Sequence, residues 1–272
     1  MYSSDNNNLH DHRIEANQIF DLIESLGDDK LTAFFKQMDY TLKEKIEHYS
    51  KYYHPFLKAA EYNELEVIKY FVENGEDINQ KDSEGNALMW ACRNENFKIA
   101  KYLIEQGIDI NIQDNNNNTP LMMAVVRDNM PIIRLLINHK ADLNKKSNYG
   151  RTVLMLAVRR GYNEMAVDLL IKSGANLEEV DSDGHSALMI ALLTPNPQMV
   201  EKLIKAGANV NIKNVNGKTP LMIAGAFEEI DIVQQLIKAG ADVNYNINGV
   251  TPLKYTRSKN VQKLLKQAGA KE

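Results

Sequence analysis

A six-residue phrase returns through the chain: TPLMMA at 119–124, TVLMLA at 152–157, SALMIA at 186–191 and TPLMIA at 219–224. Its leucine slot is filled by Leu88, Leu121, Leu154, Leu188, Leu221 and Leu253, at spacings of 33, 33, 34, 33 and 32 residues. An upstream copy, HPFLKAA, puts Phe56 in the same slot. A second phrase repeats in phase: GEDIN from Gly75, GIDIN from Gly107, KADLN from Lys140, GANLE from Gly174, GANVN from Gly207 and GADVN from Gly240. This period constrains the fold more than any bulk property. A unit this short cannot bury its own apolar face, so several must stack and bury it against one another.

Each unit reads as two helices and a turn. Thr219 followed by Pro220 is a helix start, with the hydroxyl capping free N–H groups and proline suited to the first helical position. A short apolar helix runs from Leu221 to about Phe227. A second begins near Glu229, with Ile230, Val233, Leu236 and Ile237 at helical spacing. Gly240 stands where the chain leaves that helix in a left-handed conformation. Asn248-Gly249 then marks a tight hairpin turn. The unit is therefore helix, turn, helix and projecting hairpin.

These residues carry a resemblance. T-P-L-x-x-A, a second helix and G-A-D-V-N at a 33-residue period resemble the ankyrin repeat, over 54–272, about four-fifths of the chain. The resemblance implies an all-α array with short β-hairpin loops, its helices stacked as antiparallel pairs and its hairpins projecting. We expect six full repeats, a helical N-terminal cap and a truncated C-terminal repeat. Where the family usually has histidine in the fourth slot, this chain has Leu57, Met89, Met122, Met155, Met189, Met222 and Lys254. A methionine row at structural spacing is read as packing beneath the hairpins, ahead of a soft ligand-binding stripe. Lys140 replaces a helix-ending glycine, which predicts a positive φ at a cost of about 1 kcal/mol. Asn117 replaces a hairpin glycine, which asparagine tolerates. Pro197 is expected to open its second helix. The last unit is about three residues short between its helices and rich in lysine, as suits a polar end cap.

Upstream, 1–17 reads as a disordered tail and 18–53 as a helical cap or divergent repeat, with a separate binding helix as the alternative. Within it, TLKEKIEHYSKYY reads as a helix with Leu42, Ile46 and Tyr49 on one face.

Charge and composition narrow the function. Net charge is −4, which argues against a general nucleic-acid binder. The longest uninterrupted apolar run, Ala187 to Leu193, is seven residues, far short of a membrane span. Cys92 is the only cysteine, which excludes an internal disulfide and fits a reducing compartment. It falls where the family places a small buried residue, so an inert thiol is expected. GKT at 217–219 lacks the upstream glycine of a phosphate loop, with Ile212 in that place. HDH at 10–12 has no further ligands nearby, so no metal site is predicted. No cofactor motif and no catalytic constellation emerges.

Function is then expected where the scaffold leaves the residue unspecified, at the hairpin tips and the exposed ends of the first helices. The family resemblance places these on a concave side. Five of the eight arginines, Arg93, Arg127, Arg151, Arg159 and Arg160, fall in such slots within three consecutive units. Trp90, the only tryptophan, and Tyr149 lie among them. Arginine and aromatic residues dominate binding hot spots, and arginine pairs carboxylates through two parallel hydrogen bonds. The expectation is a non-catalytic, monomeric, cytoplasmic scaffold whose partner is another protein with an acidic or phosphorylated segment, without nucleic acid or membrane. The alternatives are a regulatory or inhibitory subunit of an enzyme, and a secreted effector acting in a host cell.

Overall fold

Each first helix begins on one captured N–H, and that bond explains the fourth slot of the repeated phrase. The Thr119 hydroxyl accepts from the Met122 backbone N–H at 3.2 Å. Thr152, Ser186 and Thr219 do the same for Met155, Met189 and Met222, each at 3.4 Å. Asn86 takes this role toward Met89 at 3.1 Å. The methionine is thus the third helical residue, and its side chain is buried in all five units. A Cβ built on Gly85 would lie 2.2 Å from the Met89 sulfur, so here the thioether fills the space directly under the hairpin. The row is packing, as the spacing predicts.

The computed structural model describes residues 40–52, 54–160, 164–194 and 196–271, with backbone only for Tyr40, Thr41 and Arg160. The tail expected at 1–17 and most of the cap expected at 18–53 lie outside these residues. The chain divides into two compact units, 1–78 and 79–272. In the first, α1 (Tyr40–Tyr49) packs on α2 (Pro55–Glu61) and α3 (Leu65–Glu73). Ile46 and Tyr49 of α1 are buried, and Leu42 is half-buried. Phe56 and Leu57 of α2 and Val67 and Ile68 of α3 complete this core.

The second unit opens with a two-residue hairpin, β1 (Lys81–Asp82) against β2 (Gly85–Asn86), pairing Lys81 with Asn86 and Asp82 with Gly85. Helix pairs follow at the repeat period: α4 (Ala87–Arg93) with α5 (Phe97–Glu105), α6 (Pro120–Val126) with α7 (Met130–Asn138), and α8 (Val153–Arg160) with α9 (Glu164–Lys172). Then come α10 (Ala187–Leu192) with α11 (Pro197–Lys205), α12 (Pro220–Ala226) with α13 (Ile230–Lys238), and α14 (Pro252–Tyr255) with α15 (Lys259–Gln267). First helices pack on first helices in unbroken succession, α4 to α14. Helices this short are marginal alone, so each depends on its neighbours for stability. Leu88, Leu121, Leu154, Leu188 and Leu221 are all buried, and full burial of such a side chain stabilises by about 1.5–3 kcal/mol.

In the units of α4, α6 and α12, both helices end on a left-handed residue. After the second helix it is glycine, as at Gly107 and Gly240, with Lys140 at φ 64° as the predicted exception. After the first helix it is Glu95, Asp128 or Glu228, with φ near 60°. Those positions read as ordinary turn residues in the sequence. The geometry explains them: the Asn96 N–H reaches the Ala91 carbonyl at 2.8 Å and the Asn129 N–H reaches Ala124 at 3.0 Å. This closure of the last turn forces the intervening residue to positive φ whatever its type. The final hairpin turns on Asn248 and Gly249, both at positive φ, between Ile247 and Val250, as its sequence predicts. Among the described residues, no helix is long and apolar enough to cross a membrane.

Candidate functional site

Successive hairpin tips are tied to one another, which fixes the side chains they carry. The Asn115 N–H donates to the Ser83 carbonyl at 3.3 Å, Asn148 to Asn116 at 2.9 Å, Ser182 to Tyr149 at 3.0 Å and Val215 to Asp183 at 3.1 Å. Within a tip, one side chain braces the turn. Asp114 accepts the N–H groups of Asn116 and Asn118, both at 2.8 Å. Asp181 accepts those of Asp183 and His185, and Asn214 those of Asn216 and Lys218. Asp114, one of the acids available to neutralise the arginines, is therefore buried and committed to its own turn.

The first helices present a second row beside the tips. Two residues after the leucine stand Trp90, Met123, Leu156, Ile190, Ile223 and Tyr255. Four are half-buried, while Ile190 and Ile223 are buried. Beyond this apolar strip, the helix ends carry Arg93, Arg127, Arg159, Leu193 and Phe227.

Six of the seven predicted residues separate into three pairs. Trp90 and Arg93 are brought together on α4, with the guanidinium carbon 4.8 Å from the indole centroid. Arg93 also forms an ion pair with Glu84 of the adjacent hairpin, so its charge is answered within the chain. Tyr149 and Arg151 form a like pair, with the guanidinium 5.3 Å from the phenol ring. The Arg151 Nε is buried 3.9 Å from Asp181 and makes no hydrogen bond among the described residues. Tyr149 itself is 68% exposed. Arg127, the C-cap of α6, and Arg159, in the last turn of α8, are exposed and have no ion-pair partner among the described residues. Arg160 continues α8, and its side chain lies outside the described residues. Among the described side chains of the predicted cationic patch, Arg127 and Arg159 are the arginines without an ion-pair partner.

The same slots hold large apolar side chains farther along. Leu193, the C-cap of α10, is 50% exposed, and Phe227, the C-cap of α12, is 57% exposed. Val215, at the tip between them in sequence, is 67% exposed. These residues occupy hairpin-tip and helix-end slots of the kind the sequence leaves unspecified, whereas the candidates read from sequence are the arginines and aromatics around 90–160. A helical period alone assigns an apolar residue to the core; only its place at a helix C-cap shows it facing outward.

Other chemistry is accounted for locally. Cys92 is fully buried, and burial pushes its thiol pKa up strongly, so the thiolate is suppressed. Asp181, Asp183 and His185 bring ligand atoms within 4.8 Å of one another. Asp181 is spent on bracing its turn, however, and Arg151 beside it opposes a cation. Lys218 of GKT lies 5.2 Å from the Tyr255 ring centroid, and Thr219 caps α12.

Comparison with known proteins follows this geometry. The family model for ankyrin repeats (3 copies) matches at 34–114, 56–147, 110–178, 143–214, 160–247 and 188–271. No curated protein matches the sequence. An ankyrin repeat domain from Acinetobacter baumannii AYE (ABAYE2397) is similar at 35% identity and a TM-score of 0.64, covering 70% of this chain and 99% of that one. The ankyrin repeat domain of Bcl-3, a member of the IkappaB protein family, is similar at 26% identity and a TM-score of 0.72, covering 78% of this chain and 97% of that one. With family matches from residue 34 to 271, the chain belongs to the ankyrin repeat family.

Proposed function

We propose that the chain is a non-catalytic scaffold that captures another protein on the face formed by its hairpin tips and first-helix ends. The observation that carries this reading is the pair Arg127 and Arg159. Both stand exposed at the same end of neighbouring helices whose opposite sides are locked in a core, and neither is answered within the described chain. A rigid array lowers the ordering cost of binding, so a few well-placed groups suffice for capture. Unanswered guanidinium groups favour carboxylates or phosphates, which makes an acidic or phosphorylated segment the preferred partner. The free buried thiol suits a reducing compartment, and the cytoplasm is the proposed place of action.

A second reading, a regulatory subunit that acts by covering its partner, draws on the likeness to Bcl-3 as a member of the IkappaB family. Affinity capture from the native cell tests the first reading, with the wild-type chain beside an Arg127→Glu/Arg159→Glu variant. A protein held by the wild type and lost from the charge-reversed chain, at an unchanged unfolding temperature, supports it. Equal capture by both chains rules the face out. Assaying a captured enzyme with and without the chain then separates adaptor from regulator.

A further inference from the structure

The face changes character along the stack, and the change is ordered. Arg127 on α6 and Arg159 on α8 are exposed cations; Leu193 on α10 and Phe227 on α12 are exposed apolar groups at the same end of their helices, within one residue of the same repeat position. These four helices are consecutive first helices, each packed on the next. Single exposed apolar residues are ordinary on protein surfaces. Two at the C-caps of neighbouring first helices, with Val215 exposed on the hairpin ahead of α12, put three large exposed apolar side chains on two consecutive units. The cationic half attracts acids, and the apolar half gains only from burial, so one occupant must supply both.

We infer, resting on the scaffold reading above, that the partner presents a single extended segment with two acidic residues followed by two apolar ones. Its direction along the stack is set by charge. Neighbouring helices lie about 8–10 Å apart, and an extended chain advances about 3.3 Å per residue. Each repeat therefore corresponds to about three residues of partner, and the four contacts span about ten. The two acids pair with Arg127 and Arg159, and the two apolar side chains cover Leu193 and Phe227. Arg93 and Arg151 contribute little to this charge preference, because Glu84 and Asp181 already answer them.

A random 16-residue peptide library displayed on phage, selected against the full chain, tests this without knowledge of the natural partner. The expected result is enrichment of peptides with two acids and then two apolar residues at intervals of about three. A synthetic copy of the enriched peptide should bind Arg127→Ala/Arg159→Ala and Leu193→Ser/Phe227→Ser each at least about tenfold more weakly. Thermal unfolding of each variant serves as the folding control. Enriched peptides that lack either half, yet still lose binding to these variants, overturn the two-part pattern and leave the scaffold face standing. Peptides that bind all variants equally, or no enrichment at all, overturn both.

Discussion

The side-chain oxygen of Asn111 accepts the backbone N–H of Asp142, one repeat later, at 2.8 Å. The bond recurs along the array: Asn79 to Asp109 at 2.7 Å, Asn144 to Asn176 at 2.9 Å, Asn211 to Asp242 at 2.8 Å and Asn244 to Lys271 at 2.8 Å. Where the phrase reads GANLE, Glu178 takes the asparagine's place and accepts from Asn209 at 2.9 Å. The last residue of the second repeated phrase is thus a splice between units. It binds the next copy of its own phrase through a backbone N–H, which every residue type but proline can offer at that position.

Removing a splice should loosen the array at one joint. Asn211→Ala leaves the Asp242 N–H to water, since the site is exposed. The variant also loses the bond from the Asn211 side-chain amide to the Gly240 carbonyl at 3.0 Å, so the expected loss is about 1–2 kcal/mol, the net worth of two ordinary hydrogen bonds. Urea unfolding followed by circular dichroism measures it, and a loss below the error of the method would show that the splice is ornamental.

The hairpin glycines and the helix-ending lysine should respond in opposite directions. Gly184 has φ +74°, and a Cβ there would lie 2.6 Å from the backbone nitrogen of Val215 on the next tip. Gly184→Ala should destabilise by about 1–3 kcal/mol through strain and displacement of that tip. Lys140→Gly relieves a strained left-handed residue at φ 64° and should stabilise by up to about 1 kcal/mol, the relief of strain outweighing the added freedom of the unfolded chain. Paired thermal melts decide both signs.

The capping hydroxyl of Thr219 is buried, so its loss cannot be made good by water. Thr219→Ala should cost about 1–2 kcal/mol, while Thr219→Ser should recover most of it. Denaturant midpoints of the two variants against wild type give the comparison.

Cys92 predicts a pH dependence with a definite sign. Its folded pKa is raised above the ordinary 9.0 by burial, so the folded state holds a proton that the unfolded state releases. The stability it contributes is fully present below that ordinary value and declines as pH rises beyond it. Unfolding curves at pH 8 and pH 10 should therefore separate more for the wild type than for Cys92→Ala. The same burial predicts that a thiol reagent labels Cys92 only when the chain unfolds.

Much of this protein was readable in one dimension because its stabilising contacts recur at one spacing. The 33-residue period shows itself by recurrence, and the cap before each methionine, the strained Lys140 and the Asn248-Gly249 turn depend on neighbours within a few residues, as far as local rules reach. The Trp90–Arg93 pair was also within reach, since residues three apart share a helix face. The Arg93–Glu84 ion pair was not, because it joins a hairpin to the far end of the following helix. Nor was the left-handed Glu95, whose conformation is imposed by closure of a turn and not by its own preference. Sequence alone determined the repeat, its helices and the slots left open for function. Tertiary structure decided which of the described arginines remain unanswered and which leucine and phenylalanine face outward, because charge pairing and burial depend on what the next repeat places alongside.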